Sequence, residues 1–158
     1  MTKIPMTENG LNSLQEHLKK LKNIDRPKVI SDIKRAREYG DIKENAEYHA
    51  AKEEQFLIEK TIKNIENKIL NANVIDITKI NNNGQVIFGT TVELTKLDEN
   101  KIMSYRIVGE DEADIKKKTI SIQSPLARAL ILKSINDIVK INTPNGMLQY
   151  KIKNIKYI

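Results

Sequence analysis

The run Arg37-Glu38-Tyr39-Gly40-Asp41-Ile42-Lys43-Glu44-Asn45-Ala46-Glu47-Tyr48-His49-Ala50-Ala51 holds the end of one helical segment, a stop, and the start of another. Gly40 is the only glycine between Gly10 and Gly84, so the backbone turns most cheaply there. Asp41 follows as an N-cap. Glu44, three residues on, stands where a capping-box carboxylate belongs, and predicts a second helix beginning at Asp41. If the flanking helices fold back on each other, Gly40 marks the tip of a hairpin from which Asp41 and Glu44 project.

Working toward the N-terminus, Thr7 is a candidate N-cap. Leu11, Leu14, Leu18 and Leu21 repeat at three- and four-residue spacing, the narrow seam of a coiled coil. Asp25-Arg26-Pro27 interrupts it. Pro27 removes a backbone donor, so a kink or short break is expected. The apolar pattern resumes in a shifted phase at Ile30, Ile33 and Ala36. On the other side of the tip, one heptad phase takes in Asp41, Glu44, Tyr48, Ala51, Gln55, Ile58, Ile62, Ile65, Ile69 and Ala72. About 30 residues per arm at a rise of 1.5 Å make a rod of roughly 45 Å. A rod of that kind buries little beyond its own seam and needs a second domain.

That domain follows the turn cluster Asn81-Asn82-Asn83-Gly84, where the apolar period changes to two. Residues 85–88 and 90–97 read as strands broken at Gly89, 101–108 as the return strand, and 119–122 as a short strand. Ser124-Pro125 opens a helix over 125–133, with Ser as N-cap and Pro at the first helical position. Residues 138–141 and 147–158 are the last two strands, joined by a turn at Thr143-Pro144-Asn145-Gly146. In the final strand Leu148, Tyr150 and Ile152 alternate on one face, then Ile155 and Tyr157 continue in the opposite parity. A β-bulge near Lys153-Asn154 restores a single burial face. The fold class is α+β: a helical coiled-coil hairpin over residues 1–76, then an antiparallel sheet of about five strands carrying one helix over 77–158.

The 158 residues contain no cysteine, which removes disulfides and thiolate metal sites and fits a reducing compartment. No apolar run has the length of a membrane span or the form of a leader at the N-terminus, so a cytoplasmic location without membrane attachment is expected. The net charge of +6 and pI of about 9.4 suit either nucleic-acid contact or a lysine-rich solvated surface.

Two compatible readings apply to the acidic pair. As a capping box, Asp41 and Glu44 satisfy helix N–H groups and meet the positive end of the helix dipole. As a partial Mg²⁺ site, they supply two carboxylate oxygens, with the other ligands coming from a different protein. Lys34, Arg35, Arg37, Lys43 and Lys52 surround the tip, either as a solvated surface or as phosphate contacts. Tyr39 and Tyr48 are candidates for stacking on a base, and Tyr48 equally for closing the seam. His49 fits a helix-surface residue better than a base, and His17 has no evident partner.

The sequence resembles the bacterial transcript cleavage factors of the GreA/GreB family. The likeness spans nearly the whole chain and rests on Ile4-Pro5-Met6-Thr7, Ala36-Arg37-Glu38, the run from Gly40 to Lys52, residues 104–109, residues 124–130 and Thr143-Pro144. It implies a hairpin that enters the secondary channel of bacterial RNA polymerase, with Asp41 and Glu44 helping to hold a Mg²⁺ and a water in the polymerase's own active site. Backtracked nascent RNA is then cut near its 3′ end. On this likeness the chain is not itself an enzyme, carries no tightly bound cofactor and is a monomer when free. The second domain is expected to be FKBP-like and to dock on the polymerase through Gln123, Ser124 and Pro125. The basic patch facing the RNA falls on Arg37 and Lys52. Lysine at position 52, where arginine is common in the family, keeps the charge but loses bidentate phosphate geometry. A patch this small suits release of short fragments. Two other functions fit parts of the chain. A channel-binding inhibitor without cleavage activity is disfavoured by the intact Asp41/Glu44 pair. A prolyl isomerase is disfavoured because Phe88, Tyr105, Tyr150 and Tyr157 occupy mainly core-facing positions.

Overall fold

The computed structural model describes residues 3–158. Its contacts divide the chain into two units, residues 11–72 and residues 3–10 with 73–158. The boundary expected at 76/77 therefore moves, and the N-terminal segment joins the second unit. The cause is a strand pair that the sequence did not suggest. β1 (Ile4–Met6) pairs with β2 (Ala72–Val74), and the Ile75 N–H donates to Met6 O at 2.9 Å.

The first unit is a helical hairpin. Helix α1 (Glu8–Lys20) is capped by Thr7, whose Oγ1 accepts the Gly10 N–H at 3.1 Å. The helix passes without a break through a π-helical segment, Leu21–Asp25, into α2 (Arg26–Arg37). Pro27 cannot donate to the carbonyl one turn back, and the ring crowds that carbonyl. The widened turn accommodates this, and the Arg26 N–H bonds to Leu21 O instead. One extra residue enters the seam. A heptad continued from Leu14, Leu18 and Leu21 would bury positions 28, 32 and 35, but the buried residues are Val29, Ile33 and Ala36. The phase shift is thus as expected, but its first residue is Val29, at 1% exposure. Ile30 is half exposed.

α3 (Ala46–Leu70) forms the return arm. Leu21, Val29, Ile58, Ile62 and Ile65 make the hairpin core, flanked by Leu14, Leu18 and Ile69. Toward the tip the seam narrows to Ala36 and Ala51. Ala72, expected as the last helical seam position, lies in β2, because α3 stops at Leu70. Arg26 clamps Glu59 across the arms through Nε and Nη2 at 2.7 and 2.9 Å.

The second unit is built on a five-stranded sheet in the order β5-β4-β3-β7-β6. The strands are β3 (Thr91–Lys96), β4 (Lys101–Val108), β5 (Thr119–Ser121), β6 (Ile138–Thr143) and β7 (Gly146–Lys156). α4 (Pro125–Leu130) follows β5. Val92, Leu94, Ile107, Ala127, Leu130 and Ile152 are fully buried in one cluster. Two expectations are corrected. β5 runs parallel to β4, because the loop after Val108 carries the chain back before it re-enters the sheet. Residues 85–88 form no strand; Val86 is held by backbone bonds to Leu132 and Lys133, with a single bridge between Gln85 and Ser134. The bulge lies where parity demanded it. Glu93 faces Asn154 and Leu94 faces Ile152, leaving Lys153 as the extra residue. Tyr150, Ile152 and Ile155 are consequently all buried. No helix among the described residues is long and apolar enough to cross a membrane.

Candidate functional site: the hairpin tip

α2 ends at Arg37, and Glu38 and Tyr39 bond back to Arg35 O and Ala36 O, both at 3.2 Å. Gly40 then takes φ +129°, a conformation that L side chains rarely adopt, with no neighbouring atom within 4 Å of where a Cβ would sit. Asp41 is extended and accepts the Lys43 N–H on Oδ1 at 3.1 Å, capping a short 3₁₀ turn, Ile42–Glu44. The α-helix does not start at Asp41 as the capping box implied. Asn45 is extended (φ −93°, ψ 96°) and separates that turn from α3, which it caps by accepting the Tyr48 N–H at 3.1 Å. Two capping side chains stand within five residues, and the second starts the longer helix. Glu44 is therefore released from the capping-box role. Its carboxylate is exposed and has no hydrogen-bond or ion-pair partner among the described residues.

Asp41 and Glu44 are both exposed, and together with Tyr39, Asn45, Ala46 and Glu47 they line one open hollow of about 530 Å³. The sequence brought the first two together; Glu47 and Asn45 join them only in the fold. A second hollow, of about 480 Å³ between α2 and α3, shares Tyr39 and Glu47 with the first. Among the described residues, no group of three or more histidine or acidic side chains is placed to hold a metal ion. Mg²⁺ takes six oxygens in near-octahedral geometry. Asp41 and Glu44 are oxygen donors of the kind that ion takes, and both line one solvent-open hollow.

Arg37 ends α2 and Lys52 lies nearly two turns into α3. Both are exposed, neither forms an ion pair among the described residues, and neither lines the acidic hollow. Tyr39 is 73% exposed. Tyr48 is half-buried and meets the exposed His49 ring edge-on, with centroids 5.6 Å apart.

In the second unit, Ser124 caps α4 by accepting the Ala127 N–H at 3.2 Å and donates to Ser121 O at 2.7 Å. Gln123 and Pro125 are exposed beside it. Arg128, which the sequence did not single out, donates to Gln123 Oε1 at 2.8 Å and holds that amide over the start of α4.

Comparison with known proteins agrees with this arrangement. The family described as transcription elongation factor, N-terminal, matches residues 4–74, and the family described as transcription elongation factor, GreA/GreB, C-term, matches residues 81–157. Transcription elongation factor GreA of Buchnera aphidicola subsp. Acyrthosiphon pisum is 57% identical over 155 residues, covering 98% of each chain. Transcription elongation factor GreA of Yersinia pestis is 54% identical over all 158 residues and 100% of both. Among solved structures, GreA factor homolog 1 (Gfh1) of Thermus thermophilus aligns over 98% of this chain and 99% of its own, at 24% identity and a TM-score of 0.43. With both halves matched and full-length relatives at more than half identity, this chain belongs to the GreA/GreB family of transcription elongation factors.

Proposed function

We propose that this chain is a cytoplasmic elongation factor that binds bacterial RNA polymerase, inserts its hairpin through the secondary channel, and stimulates the polymerase's own cleavage of backtracked RNA. The observation that carries this reading is the exposure of Asp41 and Glu44 on one hollow at the tip, with no complete metal site of their own. A lone pair of carboxylates is catalytically idle in solution. Beside a site that already supplies oxygens and a phosphodiester, the same pair completes a coordination sphere.

In that complex, Asp41 keeps one oxygen on the Lys43 N–H and turns its remaining lone pairs outward. Glu44 spends none of its acceptors on the fold. The two would hold a Mg²⁺ shared with the polymerase and orient the attacking water. An ion held there would supply a lowered pKa for that water and charge stabilisation for the leaving oxygen. Arg37 and Lys52 stand free to pair with phosphates of the RNA 3′ segment. Gln123 and Pro125, exposed on either side of the half-buried Ser124, form with it a corner stiffened by Arg128 for docking on the polymerase. Chemistry belongs to the polymerase, so the chain acts as an activator rather than an enzyme.

The test uses stalled, backtracked polymerase complexes across a Mg²⁺ titration. Asp41→Ala and Glu44→Ala each lower the cleavage rate by roughly 10²-fold or more while polymerase binding stays near that of the parent chain. Undiminished cleavage by both variants defeats the proposal.

A further inference from the structure

The loop bearing the acidic pair runs from Glu38 to Glu44, and little holds it. Gly40 touches nothing on its open side, and the Asp41 bond to the Lys43 N–H is internal to the loop. The side chain that ties the loop to both arms is Asn45. Its Nδ2 donates to Ala36 O at 2.5 Å, and its Oδ1 accepts the Tyr48 N–H at 3.1 Å. The two partners fix the orientation of the amide, since only the nitrogen can donate to a carbonyl and only the oxygen can accept an N–H. Ala36 O lies in the last turn of α2, where it also accepts the Tyr39 N–H at 3.2 Å, and Tyr48 N–H is one of the four orphan donors of α3. One half-buried side chain thus joins the C-terminal end of one arm to the N-terminal end of the other, and lines the same hollow as Asp41 and Glu44.

We propose that Asn45 is a positioning residue for the acidic pair. By pinning the loop at its base it fixes where the two carboxylates stand relative to the arms, and hence relative to the catalytic pocket that the arms enter. This rests on the functional reading above. Helix capping alone does not require asparagine here: aspartate and serine cap as well. The donor to Ala36 O is what asparagine adds. Asn45→Asp keeps the acceptor for the Tyr48 N–H, loses the donor and turns a carboxylate toward the Ala36 carbonyl. Asn45→Ser keeps a cap and is too short to reach across.

The two variants are compared with the parent chain and with Asp41→Ala in four measurements: polymerase binding, hairpin melting, cleavage rate at saturating factor, and the Mg²⁺ concentration for half-maximal cleavage. Positioning predicts a cleavage rate about 10- to 100-fold lower at saturation, because small misplacements of reacting groups cost that much. It also predicts a higher Mg²⁺ requirement, with binding and hairpin melting close to those of the parent. Wild-type rates and unaltered Mg²⁺ dependence for both Asn45 variants, beside an inactive Asp41→Ala, overturn the inference and leave the functional reading standing. A deficit that disappears at saturating factor assigns Asn45 to hairpin architecture alone and also overturns it. Full cleavage by Asp41→Ala sinks the functional reading itself, and this inference with it.

Discussion

Glu112 accepts hydrogen bonds from the Thr7 backbone N–H at 3.0 Å, from the Thr7 hydroxyl, and from the Gly109 N–H at 2.9 Å. It lies so close over Gly10 that a Cβ there would collide with the carboxyl group. One side chain therefore anchors the N-terminal segment to a loop more than a hundred residues away. Glu112→Ala orphans two backbone N–H groups and a hydroxyl, and lowers the stability of the second unit by about 1–3 kcal/mol in a urea titration. Nothing in the sequence pointed to it, because 109–114 reads as an ordinary acidic loop and a contact across that separation leaves no periodic trace. Asp41 and Glu44 were legible for the opposite reason: glycine, N-cap acid and second acid fall within five residues, so local rules place them. Asn45 was hidden by its neighbours, since the capping-box pattern beginning at Asp41 offered a competing start for the helix.

At the level of elements, the chain twice uses one additional residue to keep an apolar face inward. In the hairpin arm it is absorbed by the π-helical segment ahead of Pro27; in β7 it is Lys153. Deleting Lys153 forces a choice between burying Tyr150 with Ile152 and burying Ile155. Loss of one such side chain from the core costs about 1.5–3 kcal/mol, read as a lower urea midpoint for the second unit. The bulge was legible because parity visibly reverses between Ile152 and Ile155. The π segment was legible only in part. Pro27 located the disturbance, but adjacent Val29 and Ile30 are both apolar, and a one-residue difference in helical phase decides which is buried. β5 was recognised as a strand while its direction was not, because period two carries no information about parallel pairing.

Across the whole molecule, each unit owns a buried cluster, one centred on Ile62 and Ile58 and the other on Leu94, Ile107 and Ile152. Ile62 is 2% exposed, and Ile62→Ala opens a cavity costing about 2–5 kcal/mol. Native-state hydrogen exchange should report that loss in the amides of α3, with the amides of β3 and β7 keeping their protection. Equal acceleration in both would show that the two clusters melt as one. The division into a rod-like arm and a sheet was legible from the change of apolar period near residue 84. The allegiance of residues 3–10 to the sheet unit was not, since a three-residue strand has too few positions to declare a period.

A Cβ added at Gly40 would meet no atom within 4 Å, yet the backbone angle is one that few L-residues accept. Bulk is therefore not what the apex forbids; chirality is. A D-amino acid, for which positive φ is the relaxed half of conformational space, meets that φ within its own preferred range. The extreme end of the arm thus carries a constraint of handedness, a site where synthetic chemistry could hang a reporter group that ribosomal substitution would have to force.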